Sequence, residues 1–161
     1  MIALRLLSAV AVMAFAAPAM AQDPVPVAGP YYIVSADTGT AMLVAGGTRA
    51  RRGDVATISV AVLLSPETQA GLSGVTRMYM GYEFQCRANQ LRSRVTSFIS
   101  ADGSVFQTLT DEDDWETVGV NAPSEQVRDM ACENRAPANE AGPQDDLRAV
   151  EAIYYQWVAE Q

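Results

Sequence analysis

Apolar and polar residues alternate along much of the chain between residues 30 and 110, and alternation with a period of two predicts half-buried β-strands. The clearest such stretch is Thr76 to Cys86 (TRMYMGYEFQC). Asp102-Gly103 is a strong hairpin signal between two of the strands. We predict an antiparallel sheet of about six strands, over residues 30–36, 41–45, 55–64, 76–86, 91–100 and 104–110.

The same alternation assigns side chains to the two faces of the sheet. The predicted core face carries three sets: Ile58, Val60, Val62 and Leu64; Met78, Met80, Tyr82, Phe84 and Cys86; and Leu91, Val95 and Ile99. The polar side chains between them are expected to face outwards. The basic stretch 48–53 (TRARRG) interrupts the pattern and predicts a loop.

Two later segments have apolar residues at helical spacing. The first begins near Pro123, where Asn121 or Ser124 is a candidate N-cap, and it ends by Asn134. The second runs from Asp145 to Ala159, after a linker-like stretch at 136–143. The chain is therefore predicted to be an α+β protein with a C-terminal amphipathic helix.

The N-terminus has the pattern of a secretory signal peptide. Arg5 precedes an apolar run, and Ala19-Met20-Ala21 matches the small-residue cleavage motif, so residues 1–21 are expected to be removed. The Pro-rich residues 22–29 are predicted to be a flexible lead-in. No second apolar run follows, and we expect no transmembrane segment in the mature chain.

Composition limits the chemistry. The chain has no histidine and no lysine, so it lacks imidazole bases, His metal ligands and Schiff-base amines. Residues 22–100 hold seven arginines and five acids, whereas residues 101–161 hold three arginines and fourteen acids. This balance argues against nucleic acid as a partner. We expect no enzyme activity and no cofactor.

The chain has two cysteines, Cys86 at the end of a predicted strand and Cys132 at the end of a predicted helix. Cysteines in an exported chain usually pair, so we predict an intramolecular disulfide, with free thiols or an intermolecular bond as the alternatives. A bridge between these positions would hold the helix across the apolar face of the sheet.

The order of these features resembles the surface-adhesin protein E domain family of bacterial exported proteins. The resemblance spans residues 30–135: a strand ending in Cys (MGYEFQC86), a second strand, a Gly turn, the isolated Trp115, and a Pro-Ser helix start leading to Cys132. It implies an antiparallel sheet of about six strands, a helix held to its concave face by a disulfide, and binding of extracellular proteins. This chain differs from the family's surface-anchored members in having no cysteine after the cleavage site. It also carries an additional tail at 136–161.

Two surfaces are candidate contact sites. Arg77, Arg92 and Arg94 are predicted on the outward face of adjacent strands, with Arg87 near their connection, and such arginines can bind carboxylate, sulfate or phosphate groups. The alternative is that they pair with acids of this chain or are solvated. Tyr154 and Trp157 of the tail helix are a candidate docking element for a protein partner, unless that helix packs on this domain's own surface.

No metal site is predicted. Met78 and Met80 near Cys86 have the soft ligands of a copper(I) site, but they lie on the predicted core face, where Met is ordinary filler. The acidic run at residues 111–116 lacks the glycine and spacing of a calcium loop. We expect an exported, non-enzymatic binding protein in the periplasm or at the bacterial cell surface, adhesin-like in function. The alternative is a soluble periplasmic module, such as an inhibitor or accessory subunit of an envelope enzyme.

Overall fold

The computed structural model describes residues 23–110, 113–137 and 142–161, so the expected signal peptide lies outside the described residues. Six strands follow one another as an antiparallel meander. They are β1 (Tyr31–Ala36), β2 (Thr40–Arg52), β3 (Val55–Leu64), β4 (Val75–Gln85), β5 (Gln90–Ser100) and β6 (Val105–Thr110). A short strand, β7 (Glu116–Thr117), pairs with β5 along the same edge as β6.

Three helices accompany the sheet: α1 (Pro66–Ala70), α2 (Pro123–Glu133) and α3 (Leu147–Ala159). The α+β class and the antiparallel sheet are confirmed. The helix α2 begins at Pro123 without a side-chain cap from its N-cap residue Ala122, so neither Asn121 nor Ser124 caps it as predicted. Instead, the carboxylate of Glu125 accepts a hydrogen bond from the backbone N–H of Asn121 at 2.7 Å.

The first core lies between one face of the sheet and α2. Ile58, Val60 and Phe84 are buried there against Val127 and Met130 of the helix. The predicted disulfide is confirmed: Cys86, which follows β4, is bonded to Cys132 near the end of α2, with the two Cα atoms 5.7 Å apart. The bridge ties the C-terminal turn of α2 to the end of β4.

A second core occupies the opposite face, which the sequence pattern assigned to solvent. Tyr31, Leu43 and Leu63 are buried there against Val150 and Tyr154 of α3. The prediction of one buried face is therefore wrong for the centre of the sheet, where both faces are covered. The reason is that β3 has apolar residues at both odd and even positions. At its end, Leu63 faces the α3 side of the sheet, while Val62 and Leu64 face the α2 side.

A β-bulge in β5 overturns the predicted faces of Val95 and Ile99, which were expected on the core face together with Leu91. Tyr82 pairs with Ser93, whereas the neighbouring Gly81 pairs with Val95, so Arg94 is an additional residue in the ladder. Because one extra residue reverses the alternation, Leu91 lies on the α2 face while Val95 lies on the opposite face with Ile99.

The predicted basic loop at residues 48–53 is also wrong, because β2 continues to Arg52. The pairing with β3 shifts between Ala45 and Ala50, so the strand contains an irregularity rather than an end. At this point the chain before β1 comes very close: a Cβ at Gly47 would lie 2.3 Å from the carbonyl oxygen of Gly29. Glycine is required at position 47 for this approach.

The predicted flexible lead-in packs on the sheet instead. Val25 is buried, and its backbone N–H donates a 3.0 Å hydrogen bond to Oγ of Ser97 in β5. The carbonyl oxygen of Ala28 accepts a hydrogen bond from Gly47. The segment from Val25 to Ala28 thus crosses the sheet on the face opposite to α2, next to the residues on which α3 packs.

Candidate functional site

The four candidate arginines do not form one exposed patch. Arg77 is only 8% exposed, and its guanidinium lies 3.3 Å from Glu151 of α3. Its prediction as an outward-facing contact residue is wrong, because α3 covers this part of the sheet. Its Nε atom has no hydrogen-bond partner among the described residues.

Arg92 lies on β5 opposite Glu83 of β4. Because Glu83 is six residues from Arg77 along β4, Arg92 is about 20 Å from Arg77. Two of its nitrogens donate to one carboxylate oxygen of Glu83, at 2.8 and 2.6 Å. Its guanidinium also lies over the ring of Trp115, 4.4 Å from the ring centre. Arg92 is therefore already held by an acid and an aromatic ring of this chain.

The other two arginines are more exposed. Arg94 is 3.8 Å from the second carboxylate oxygen of Glu83, and Arg87 is 3.6 Å from Asp54. The Arg87 side chain is 91% exposed. The local acids reduce the positive charge that these side chains present to a ligand, which favours the alternative of pairing within the chain for all four arginines.

The tail helix places its two candidate docking residues differently. Tyr154 is buried, and its hydroxyl donates a 3.1 Å hydrogen bond to the carbonyl oxygen of Asp37. Trp157 stacks on it, with ring centres 6.2 Å apart, and remains partly exposed. Together with Ile33, Ala41 and Ile153 they line an apolar groove of about 170 Å³ between α3 and the first two strands. Of the two candidate docking residues, Tyr154 is buried in the core, whereas Trp157 is 38% exposed and accessible to a partner.

Sequence reasoning missed two arginines that hold α2 in place. The Nε atom of Arg49 donates to the carbonyl oxygens of Met130 and Ala131, at 3.0 and 2.9 Å. Arg51 donates to the carbonyl oxygen of Cys132. Cations are favourable at the C-terminus of a helix, where backbone carbonyls lack partners. The sequence signal was the spacing of Arg49 and Arg51, because residues two apart on a strand lie on the same face of the sheet.

The last long strand, β6, exposes apolar side chains at the edge of the sheet. Its apolar side chains Val105, Phe106 and Leu109 are 44%, 59% and 41% exposed. The strand pairs with β5 on one side, and no described strand pairs with it on the other. Val105 to Thr110 contains no charged residue and no proline, which are two of the features that protect edge strands, and its pairing with β5 carries one bulge, at Phe106. We call this strand, with its three exposed apolar side chains, the β6 edge.

An apolar surface on the α2 face adjoins the β6 edge. The strand register places Met80, Thr96 and Leu109 in one row, and Met78, Phe98 and Gln107 in the next. The two methionines and Phe98 are only partly buried, whereas Ile58, Val60 and Phe84 under α2 are buried. We call these two rows the Met–Phe surface. Methionine side chains adapt to varied partners because they are unbranched and polarisable.

Acidic residues flank the β6 edge at both ends. Asp102 lies in the turn before β6, and Asp113, Asp114 and Glu116 are exposed after it. Hydrogen bonds from Ser104 hold the pKa of Asp102 below its usual value, so this carboxylate stays ionised. Residues 101–116 contain six acids and no basic residue.

Three kinds of ionisable group have shifted pKa values in the part of the chain that the structure describes. The shifted pKa values belong to carboxylates held ionised by hydrogen bonds, to Arg135, and to tyrosines whose pKa is raised by burial: Tyr31, Tyr79, Tyr154 and Tyr155. Across residues 23–110, 113–137 and 142–161, no group of three or more His, Cys, Asp or Glu side chains is arranged to hold a metal ion. In the same ranges, no helix has the length and apolar character needed to cross a membrane.

Comparison with known proteins returned no matching protein-family model, no matching curated protein and no matching solved structure.

Proposed function

We propose that this chain is an exported, non-enzymatic protein that binds another protein along the β6 edge and the adjoining Met–Phe surface. The observation that carries the proposal is the exposure of three apolar side chains on an uncharged strand with an unpaired edge. Such an edge offers backbone N–H and C=O groups in a row, and solvent-exposed edges of this kind are sites of strand addition and association.

Three further features support a binding role. The absence of histidine and lysine from the sequence removes the commonest general bases and amine nucleophiles. The disulfide fits an oxidising compartment, and the N-terminal sequence pattern fits export to one. A helix packs on each face of the central strands, which leaves the β6 edge and the Met–Phe surface accessible.

Part of the proposal is that the chain is a relative of the surface-adhesin protein E domain family. Six antiparallel strands followed by a disulfide-tethered helix match what that resemblance implies. A role at the cell surface, in contact with extracellular proteins, follows from it. The soluble periplasmic module is the second candidate, because the signal-peptide pattern at the N-terminus fits export to the periplasm equally well.

Location separates the two candidates. Producing cells would be shaved with protease while intact, and a parallel sample would be released by osmotic shock, with the chain probed in each fraction. Cleavage on intact cells supports the adhesin-like role. Protection in intact cells with release by shock supports the periplasmic module.

Binding itself is tested by a photo-crosslinking residue placed at position 106. The matched control carries the same residue at position 153, since Ile153 is 62% exposed and lies on α3, on the other face of the sheet. The proposal expects one defined protein adduct from position 106 and none from position 153. No adduct from position 106 in the native compartment, with the protein folded and abundant, contradicts the proposed function.

A further inference from the structure

From the charge pattern around the β6 edge we infer the class of partner, building on the function proposed above: an extended peptide segment with a neutral, largely apolar centre and basic residues at both ends, which pairs with β6 as an additional strand.

The centre of this partner follows from the chemistry of β6. An added strand would satisfy the outward backbone groups of Val105–Thr110, and its alternate side chains would fall on the two faces of the sheet. On the α2 face they would meet Leu109 and extend the Met–Phe surface. On the opposite face they would lie beside Val105 and Thr108. Both faces of β6 are neutral, so a charged side chain in the centre of the partner would lose solvation without gaining an ion pair.

The ends of the partner follow from the acids. Asp102 precedes the strand, and Asp113, Asp114 and Glu116 follow it. An added strand that covers β6 must place one of its ends near each acidic group. Arginine or lysine at those ends would be attracted to the carboxylates beside them, whichever way the strand runs.

The same acids argue against a second copy of this chain as the occupant. If two β6 edges paired antiparallel, Asp113, Asp114 and Glu116 of one copy would lie towards Asp102 of the other, at both ends of the pair. Like charges at matched ends oppose association, and the mature chain carries a large negative charge overall.

The test uses a defined probe. It is a synthetic peptide of alternating valine and threonine with two arginines at each end, labelled for fluorescence anisotropy and titrated with the mature protein. A second peptide replaces the arginines with glutamates. We expect the glutamate peptide to bind at least about tenfold more weakly, and the binding of the arginine peptide to weaken as salt is raised. Failure of the arginine peptide to bind at low salt overturns the inference.

Main-chain pairing is tested by a third peptide, identical to the first but N-methylated at every valine and threonine. It keeps all side chains and charges but cannot donate backbone hydrogen bonds, so its binding should be lost. In the complex with the first peptide, hydrogen exchange measured by NMR should slow at alternate amides of β6. Equal binding of the methylated peptide overturns strand addition.

The position of the site is tested by Phe106→Lys with Ile153→Lys as the matched control, because these two side chains are 59% and 62% exposed. Phe106→Lys should lower the affinity for the arginine peptide at least about tenfold, since it places a positive charge on the β6 edge. Ile153→Lys should leave its affinity unchanged, and both variants should keep the parent's thermal midpoint. If neither variant alters binding, the peptide binds elsewhere and the inference is wrong, whereas an adduct from position 106 would still support the proposed function.

Discussion

The guanidinium of Arg77 lies 3.3 Å from the carboxylate of Glu151, and this contact joins β4 to the C-terminal helix. Both side chains are largely buried. Glu151 also accepts a 3.0 Å hydrogen bond from the hydroxyl of Tyr155, to which Gln69 donates from the end of α1. A polar network of this kind fixes α3 in one position on the sheet, so the helix is a layer of the domain and its buried side is unavailable to a partner.

Removing the carboxylate of this pair should destabilise the protein. Glu151→Ala leaves the Arg77 guanidinium buried without a counter-charge, and we expect the free energy of unfolding to fall by about 3 kcal/mol. Urea denaturation at neutral pH measures this. The double variant Arg77→Met/Glu151→Ala should recover most of the loss, because no buried charge then remains; if the double variant is less stable than the single one, the pair is worth more than its desolvation cost.

The two sides of α3 should respond differently to truncation of neighbouring residues. Tyr154→Ala removes a buried ring and its hydrogen bond to Asp37, and should cost about 3 kcal/mol. Ile153→Ala, on the exposed side, should change the free energy of unfolding by less than about 0.5 kcal/mol. Both are measured by chemical denaturation. Equal small effects would mean that α3 is not part of the core.

Deleting residues 143–161 tests the same layer as a whole. The deletion exposes buried side chains of the central strands, among them Leu43 and Leu63, so we expect the cooperative unfolding transition to be lost. Circular dichroism and near-ultraviolet spectra during thermal unfolding would show it. Removing only Glu160 and Gln161, which are exposed, is the control and should leave the transition intact. A sharp transition in the long deletion would restore the interpretation of the tail as a separate docking element.

The disulfide should contribute strongly to stability. The bridge closes a loop with a sequence separation of 46, and the loop-entropy relation gives about 4 kcal/mol for its loss. We expect the free energy of unfolding of Cys86→Ser/Cys132→Ser, measured by urea denaturation, to be lower than that of the parent by about 4 kcal/mol. Reducing agent should destabilise the parent similarly and leave the double variant unaffected, whereas a double variant as stable as the parent would contradict the prediction.

Alkaline pH should weaken the fold through Tyr155. Burial and the hydrogen bond to Glu151 raise the pKa of Tyr155 to about 12, above the value of about 10 expected in the unfolded chain. The neutral phenol is therefore favoured in the folded state. Its contribution to stability is complete below pH of about 10 and is lost as the pH rises towards about 12.

The chain has no lysine, so tyrosines dominate its titration in this range. We expect Tyr155→Phe to lose less free energy of unfolding than the parent between pH of about 9 and about 11, measured by urea denaturation at each pH. The slope should not vanish, since burial also raises the pKa of Tyr31, Tyr79 and Tyr154. Parallel curves for the two proteins would exclude Tyr155 as a source of the alkaline loss.

Much of the fold could be predicted because its signals are local. Alternation located all six strands of the meander, helical spacing located α2 and α3, and the phase of Cys86 within its strand placed it beside the helix that ends in Cys132. The candidate sites were harder to predict. The candidate arginines were recognised as charged residues of the strands, but some of their partners come from distant parts of the sequence, such as Trp115 for Arg92 and Glu151 for Arg77.

The sequence by itself determined the element order, the disulfide and the absence of imidazole and lysine chemistry, because each depends on residue type and local spacing. Only the tertiary structure decided which faces are covered. The bulge at Arg94 reverses the alternation of β5, and α3 covers the face of β3 that looked solvent-exposed. It also decided that β6 is left at the edge with Phe106 and Leu109 exposed, since a strand's neighbours depend on the whole path of the chain and not on its own residues.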